Sequence, residues 1–430
     1  MKLYQRCFSL VMAAALLASP CQAGRAAQVE LSLADSITLA ITNNYDIKYA
    51  QAAKEKSYWA LQEAKKNKGV SLDYTHTDQR YNTPPSVTSP EYLYTTNFDN
   101  QLALSLPVYS GGKLEGQIEQ AKLDLQVADM EVEAAKQQLK LTAVTDYFTV
   151  LEYRNEVQVN QETVKNYTEH LSLVQAKYDA GLVDKSDVLA SQVDLAQARN
   201  SLLKAQNSYA NAAATLNNDL GLPHTTEVVL KDDFTYEQFS GSLEECLAYA
   251  AGNRPEIAQY EAKVASARQE VKIAKSGNLP AVDLTAEQDW YDSRLPGSKN
   301  SNWLVKLTTS FNVFDSGVTK SKIKQAQHSV AMVRDKAAQQ RDEILLAVRQ
   351  CYLSMTEAEQ RIDTNKVSVV QAEENLMIQK ARYEVGVSTN LDLRDAVLSL
   401  DSARKDYIQA VYDYHTSKAQ LEQAMGMPVE

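Results

Sequence analysis

The sequence predicts a mainly α-helical chain with a β-barrel part, built as two copies of one unit. Three observations carry that prediction: an internal duplication, four alternating stretches in two matched pairs, and coiled-coil seams of unusual length. The duplication sets the frame. Ser32-Leu33-Ala34-Asp35-Ser36-Ile37 through Asn43-Asn44-Tyr45-Asp46-Ile47 matches Ser242-Leu243-Glu244-Glu245-Cys246-Leu247 through Asn253-Arg254-Pro255-Glu256-Ile257 at a constant offset of 210. Further on, Leu106-Pro107-Val108-Tyr109-Ser110-Gly111-Gly112 matches Phe311-Asn312-Val313-Phe314-Asp315-Ser316-Gly317 at an offset of 205. That offset also carries Tyr178, Gly181, Asp187 and Arg199 onto Tyr383, Gly386, Asp392 and Arg404. The expected first repeat covers 24–219, a linker 220–241, and the second repeat 242–430.

Within each repeat the order reads helix, strand, strand, long helix, turn, helix. The short helices fall at about 46–67 and 255–277. Period-two alternation in Leu72-Asp73-Tyr74-Thr75 and Leu102-Ala103-Leu104-Ser105 predicts strands at about 70–83 and 94–109. Val282-Asp283-Leu284-Thr285 and Leu304-Val305-Lys306-Leu307 predict strands at about 280–293 and 302–314. Thr83-Pro84-Pro85 and Leu295-Pro296-Gly297 supply the turns between partners. Each strand exceeds the 9–11 residues or so that cross a bilayer in a barrel.

The long helices follow, at about 112–178 and 317–383. Ile118, Ala121, Leu125, Ala128, Val132, Ala135 and Leu139 step by three and four without a miss. A helix of some 65 residues spans on the order of 100 Å. The helices at about 187–219 and 391–425 repeat the pattern, with Val188, Ser191, Leu195, Ala198, Leu202, Ala205, Tyr209, Ala212 and Leu216 as one seam. Such a period signifies knobs-into-holes packing. A second stripe, Leu189, Val193, Ala196 and Leu203, lies beside it, so this helix has two neighbours, as in a tube of helices.

The amino terminus reads as a signal peptide over 1–23. Lys2 and Arg6 precede an apolar stretch from Phe8 to Ala18, Pro20 breaks it, and Cys21-Gln22-Ala23 offers a cleavage site. A competing reading makes Cys21 a lipidated first residue, although Ala18-Ser19-Pro20 lacks the usual lipoprotein context. No later run of about 18 apolar residues exists, so insertion in a membrane requires a closed barrel. Cys246 and Cys351 are too few for a disulfide framework and read as small buried residues. Loss of Lys2 and Arg6 takes the formal charge from −11 to −13, which argues against nucleic acid as a partner. Enzyme signatures are absent, and no cofactor is expected. The five histidines have no metal-ligand spacing, and Gly111-Gly112-Lys113 lacks the rest of a P-loop.

Lys177-Tyr178-Asp179-Ala180-Gly181 with Asp187-Val188-Leu189, and Arg382-Tyr383-Glu384-Val385-Gly386 with Asp392-Leu393, resemble the TolC-like outer membrane efflux protein family. The strand-to-helix exits at Val108-Tyr109-Ser110-Gly111-Gly112 and Val313-Phe314-Asp315-Ser316-Gly317 share that resemblance. It covers almost the whole mature chain, in both repeats and in order. The resemblance implies a homotrimer in which four strands per protomer form a twelve-stranded outer-membrane β-barrel, continued by a periplasmic tunnel of twelve helices. It implies docking to a periplasmic adaptor protein that joins an inner-membrane pump of the RND or ABC type, in a Gram-negative-type cell. The alternative is an exported structural coiled-coil or surface protein with no channel.

Site expectations follow from the same resemblance. Gly181 and Gly386 suit left-handed stops at the tip turns. Asp392 and Asp395 are the expected entrance gate, where threefold symmetry gathers six carboxylates, whereas capping of the following helices is the plainer role of Asp187 and Asp392. Tyr383 is expected to latch against Asp187. Family members can carry an arginine shortly after the glycine; this chain has Ser388, which leaves a closing link missing or filled by Lys185.

Overall fold

The computed structural model describes residues 28–85, 91–232 and 234–429. The expected signal peptide and Cys21 lie outside them.

The chain opens with β1 (Gln28–Leu31), α1 (Leu33–Asn43) and α2 (Tyr45–Lys66), then β2 (Ser71–Thr83) and β3 (Leu93–Tyr109). Next come α3 (Lys113–Asp179), α4 (Lys185–Asp219) and β4 (Glu227–Leu230). The second series is α5 (Leu243–Asn253), α6 (Pro255–Lys275), β5 (Ala281–Asp292), β6 (Asn300–Ser310), α7 (Val318–Glu384) and α8 (Asn390–Met425). A single turn of 3₁₀ helix, Ser276–Asn278, follows α6.

Three differences from the sequence expectation have physical causes. The first helix of each series is in fact two helices. Ser32 and Asp35 form a reciprocal capping box that starts α1, and Ser242 with Glu245 does the same for α5. The expected linker contains β4, which pairs in parallel with β1 in the register Val29 to Val228. The strand expected to reach 314 stops at Ser310, because its partner β5 begins at Ala281 opposite Ser310 and offers no backbone beyond. Val313 and Phe314 are accordingly 84% exposed at the strand-to-helix junction.

β2, β3, β5 and β6 form one antiparallel sheet in that order, so β2 and β6 are its edges. Register sorts its side chains by face. Leu72, Tyr74, Phe98, Leu102, Leu104, Leu284, Trp290, Trp303, Val305 and Leu307 share one face. Asp73, Thr75, Asp99, Gln101, Thr285, Glu287, Asp289 and Lys306 share the other. Because successive strand residues alternate sides, the first face is mainly apolar, with His76, Asp78, Arg80, Asn100, Gln288 and Asp292 interspersed on it, and the second is polar.

From the sheet, α3 and α7 each run 67 residues, roughly 100 Å. α2 and α4 pack along α3, and α6 and α8 along α7; α3 also touches α6 and α8. α2 and α4 meet end to end, where the Asn44 side chain donates to the Asp219 carbonyl. Around that level α1, β1 and β4 cover a core of Leu31, Ile37, Tyr147, Leu151, Leu216 and Leu230. α5 caps a second core built on Val348, Met355, Ile362, Val411 and Tyr414.

Candidate functional site

The end of the helices farthest from the sheet carries every residue singled out for the entrance. A chain leaving the sheet at Lys113 or Val318 must turn back after Asp179 or Glu384. Gly181 (φ 75°) and Gly386 (φ 79°) make those turns in the left-handed region that side chains rarely adopt. The amide of Gly181 donates to the Tyr178 carbonyl and that of Leu182 to Lys177, a Schellman stop. Gly386 and Val387 repeat it on Tyr383 and Arg382.

The two hairpin tips lie side by side over an apolar patch of Val174, Val188, Leu195, Leu376, Leu393 and Val397. Polar contacts surround it. Asp194 on α4 is held by Arg394 on α8, with Nη2 to Oδ1 at 2.9 Å and Nε to Oδ2 at 2.5 Å. The Lys177 ammonium sits 4.3 Å above the centre of the Tyr383 ring and donates to the Tyr383 carbonyl.

Neither Asp187 nor Asp392 occupies the N-cap that the sequence reading gave it. Each is the third residue of its helix, because Asp184 and Thr389 stand at the caps. Asp392 instead closes a capping box: its Oδ2 accepts from the Thr389 amide (2.9 Å), the Thr389 hydroxyl (2.7 Å) and the Ser388 hydroxyl (3.1 Å). Those bonds, led by the Thr389 hydroxyl, hold its carboxyl below the usual carboxylate range. Asp395, one turn on, is exposed and has no side-chain partner among the described residues. Lys185 is the exposed first residue of α4 and forms no ion pair among the described residues.

The Tyr383–Asp187 latch is not formed in this protomer. Tyr383 is 3% exposed, and its hydroxyl has no partner among the described residues. Burial, and then the Asp187 charge, push that hydroxyl's pKa up. Asp187 is taken by Asn390, whose Nδ2 donates to Oδ1 at 3.2 Å. Asn390 Oδ1 in turn accepts from His170 Nε2 at 2.6 Å, so His170, Asn390 and Asp187 tie α3, α8 and α4 together. Sequence reasoning passed over His170 and Asn390. The Tyr167, His170, Val174 spacing, which matches the coiled-coil period, is the signal that places this histidine on a buried seam.

The sequence model of the family described as "Outer membrane efflux protein" matches residues 36–222 and 247–427. The chain belongs to that family. Among curated relatives it is 24% identical over 313 residues to the outer membrane protein TolC of Escherichia coli, covering 70% of this chain. The match spans 64% of that relative's length. It is 25% identical over 309 residues to the alkaline protease secretion protein AprF of Pseudomonas aeruginosa, covering 70% of this chain and 64% of that one. Solved structures agree on the fold. The Campylobacter jejuni CmeC outer membrane channel superposes with a TM-score of 0.81 at 18% identity, over 92% of this chain and 85% of that one. CusC superposes with a TM-score of 0.80 at 18% identity, over 95% of each chain. The family is one of outer-membrane efflux and secretion channels, and the tip is the part of this chain where two helical hairpins converge.

Proposed function

We propose that this chain is the outer-membrane exit duct of a tripartite efflux or type I secretion system, passively conducting substrate delivered by an inner-membrane pump through a periplasmic adaptor. In this reading three copies close a twelve-stranded barrel in outer-membrane lipid and continue it as a tunnel of twelve helices in the periplasm. The carrying observation is the four-stranded sheet with one mainly apolar face, one polar face and two unpaired edges, β2 and β6. An open edge is untenable in lipid, and four strands are too few to close alone, so the missing partners are other copies. From Phe98 to Leu106 the mainly apolar face runs about 26 Å along its strand, with Asn100 the one polar residue in it. Tilted by about 40°, that length covers roughly 20 Å of the bilayer normal, most of an outer-membrane barrel's apolar band of about 25 Å.

The helices support the same assembly. Leu189, Val193 and Leu203 on α4 are 52, 54 and 65% exposed in the protomer, and Val367, Val370 and Met377 on α7 are 57, 59 and 66% exposed. Stripes of that kind, lying outside the internal seams, suit lateral packing against neighbouring copies. Equal lengths of α3 and α7, and near-equal lengths of α4 and α8, fit duplication of one helical unit. At the tip, Asp392 and Asp395 from three copies would ring the entrance with six carboxylates and favour cations. An exported structural coiled coil accounts for the seams but not for a two-faced sheet. Light scattering on detergent-solubilised protein, beside planar-bilayer conductance, tests the proposal. Trimers that conduct with cation preference are expected; a conducting monomer, or trimers with no conductance, would overturn it.

A further inference from the structure

We infer that His170 is a proton-operated catch: as a neutral ring it holds the two helical hairpins together at the tip, and its protonation lets them part. The inference begins with connectivity. His170 belongs to α3, and its Nε2–H donates to Asn390 Oδ1, on the first residue of α8. Because Asn390 spends its Nδ2 on Asp187, its Oδ1 must accept, which fixes the hydrogen on His170 Nε2. His170 Nδ1 is then a bare acceptor. It is buried, the residue is 4% exposed, and this nitrogen has no partner among the described residues.

A proton arriving at Nδ1 turns it into a donor with nothing to receive it. The Asn390 bond at Nε2 favours the charged ring but does nothing for Nδ1, and the other groups around the ring do not repair this. On α8, Arg394 opposes the new charge; on α4, Asp194 and Asp187 favour it, but Asp194 is already engaged by Arg394 and Asp187 by Asn390. On α7, the Tyr383 ring lies edge-on at 5.2 Å with Lys177 above it, and Lys380 is engaged with Glu169 and Asn166. Burial dominates, and it holds the imidazole pKa below its ordinary value. Protonation strengthens the Nε2–Asn390 bond but leaves Nδ1–H buried without an acceptor, so it favours any arrangement of the hairpins in which water reaches Nδ1.

Linkage fixes the sign and size. An opened tip with an ordinary imidazole pKa near 6.5, against a closed tip whose burial holds the ring lower, gains in open-to-closed ratio as pH falls from 7.5 to 5.5, by at most about tenfold. The catch stands on the protomer's own contacts. Its meaning for transport rests on the proposed reading of the tip as the tunnel entrance.

The test uses full-length trimers with Cys7, Cys21, Cys246 and Cys351 replaced by alanine and nitroxide labels at Leu182→Cys and Val387→Cys, two exposed tip positions. Labelled chains are diluted into unlabelled ones so that most trimers carry one pair, and pulsed-dipolar distances are read at pH 7.5 and 5.5. A longer-distance population should grow in acid, by up to about tenfold. His170→Gln should keep the short distance at both pH values. Asn390→Ala should show the long distance at both, which serves as an independent reading where His170→Gln assembles poorly. Acid opening of His170→Gln equal to the parent's, or no acid effect in the parent, would overturn the catch. Conductance of the same samples separates the two ideas: tips that part without any current refute the channel and leave the catch, whereas current with immobile tips does the reverse.

Discussion

Removing the Arg394 guanidinium should loosen the tip far more than removing the whole Asp194–Arg394 pair. Asp194 has an 8% exposed side chain, so in Arg394→Ala its carboxylate stays inside the protein with no counter-charge. Breaking one side of a buried pair costs about 3–5 kcal/mol. Arg394 is 31% exposed and water can partly replace it, which places this case nearer 2–3 kcal/mol. At 1.4 kcal/mol per decade the population of the opened tip rises roughly 30- to 150-fold. Asp194→Leu with Arg394→Leu removes both charges and returns apolar surface to the patch around Leu195 and Leu393, so most of the loss should vanish. The assay is maleimide labelling of Val397→Cys, a 3% exposed position, in the cysteine-free background. Arg394→Ala should label at least about 30-fold faster than the parent and the double variant within about threefold of it. Equal rates for the single and double variants would refute the reasoning, because then the stranded charge is not what opens the tip.

Two further outcomes concern charge. Asp395→Ala should weaken block by multivalent cations while leaving the first turn of α8 protected from hydrogen exchange; Asp392→Ala should weaken block and also fray that turn, since only Asp392 belongs to the capping box. Block unchanged in Asp395→Ala would remove this residue from the gate. Away from the tip, burial, followed by the neighbouring Asp219 carboxylate, raises the Asp146 carboxyl to about 7. The folded state thus keeps a proton that the unfolded chain releases near pH 4. The stability this confers is complete below pH 4 and falls as pH rises through 7. Asp146→Asn should flatten that part of the profile and melt above the parent at pH 8; a lower melt at pH 8 contradicts the sign.

Periodic residues were the readable ones. The expected long helices at 112–178 and 317–383 stand beside observed spans of Lys113–Asp179 and Val318–Glu384, because uninterrupted three-and-four spacing locates a helix and glycines end it. Strand alternation worked where a partner strand existed and overshot where none did, at Phe311 to Phe314. β1 and β4 were hidden for the opposite reason. Four residues carry no period, and their pairing joins positions about 200 apart. α1 and α5 were legible in principle, since Ser-x-x-Asp at Ser32 and Ser-x-x-Glu at Ser242 are capping boxes written in the chain.

At the tip the same division decides what could be foreseen. The turn glycines and the Asp392–Asp395 pair sit in local motifs that carry the family resemblance, but the His170–Asn390–Asp187 bridge requires two hairpins from opposite halves of the chain to be docked. That docking is also less covered than the rest of the helical body. Its apolar patch lacks the covering elements that α1, β1 and β4 give one equatorial core and α5 gives the other. Two of its buried polar atoms, Tyr383 Oη and His170 Nδ1, have no partner among the described residues. Unpaired buried groups lower the cost of local opening, because water satisfies them when the helices separate. A helical body whose middle is covered by α1, β1, β4 and α5 and whose far end is held by a few replaceable polar contacts opens more readily at that end, which is the behaviour the proposed entrance requires.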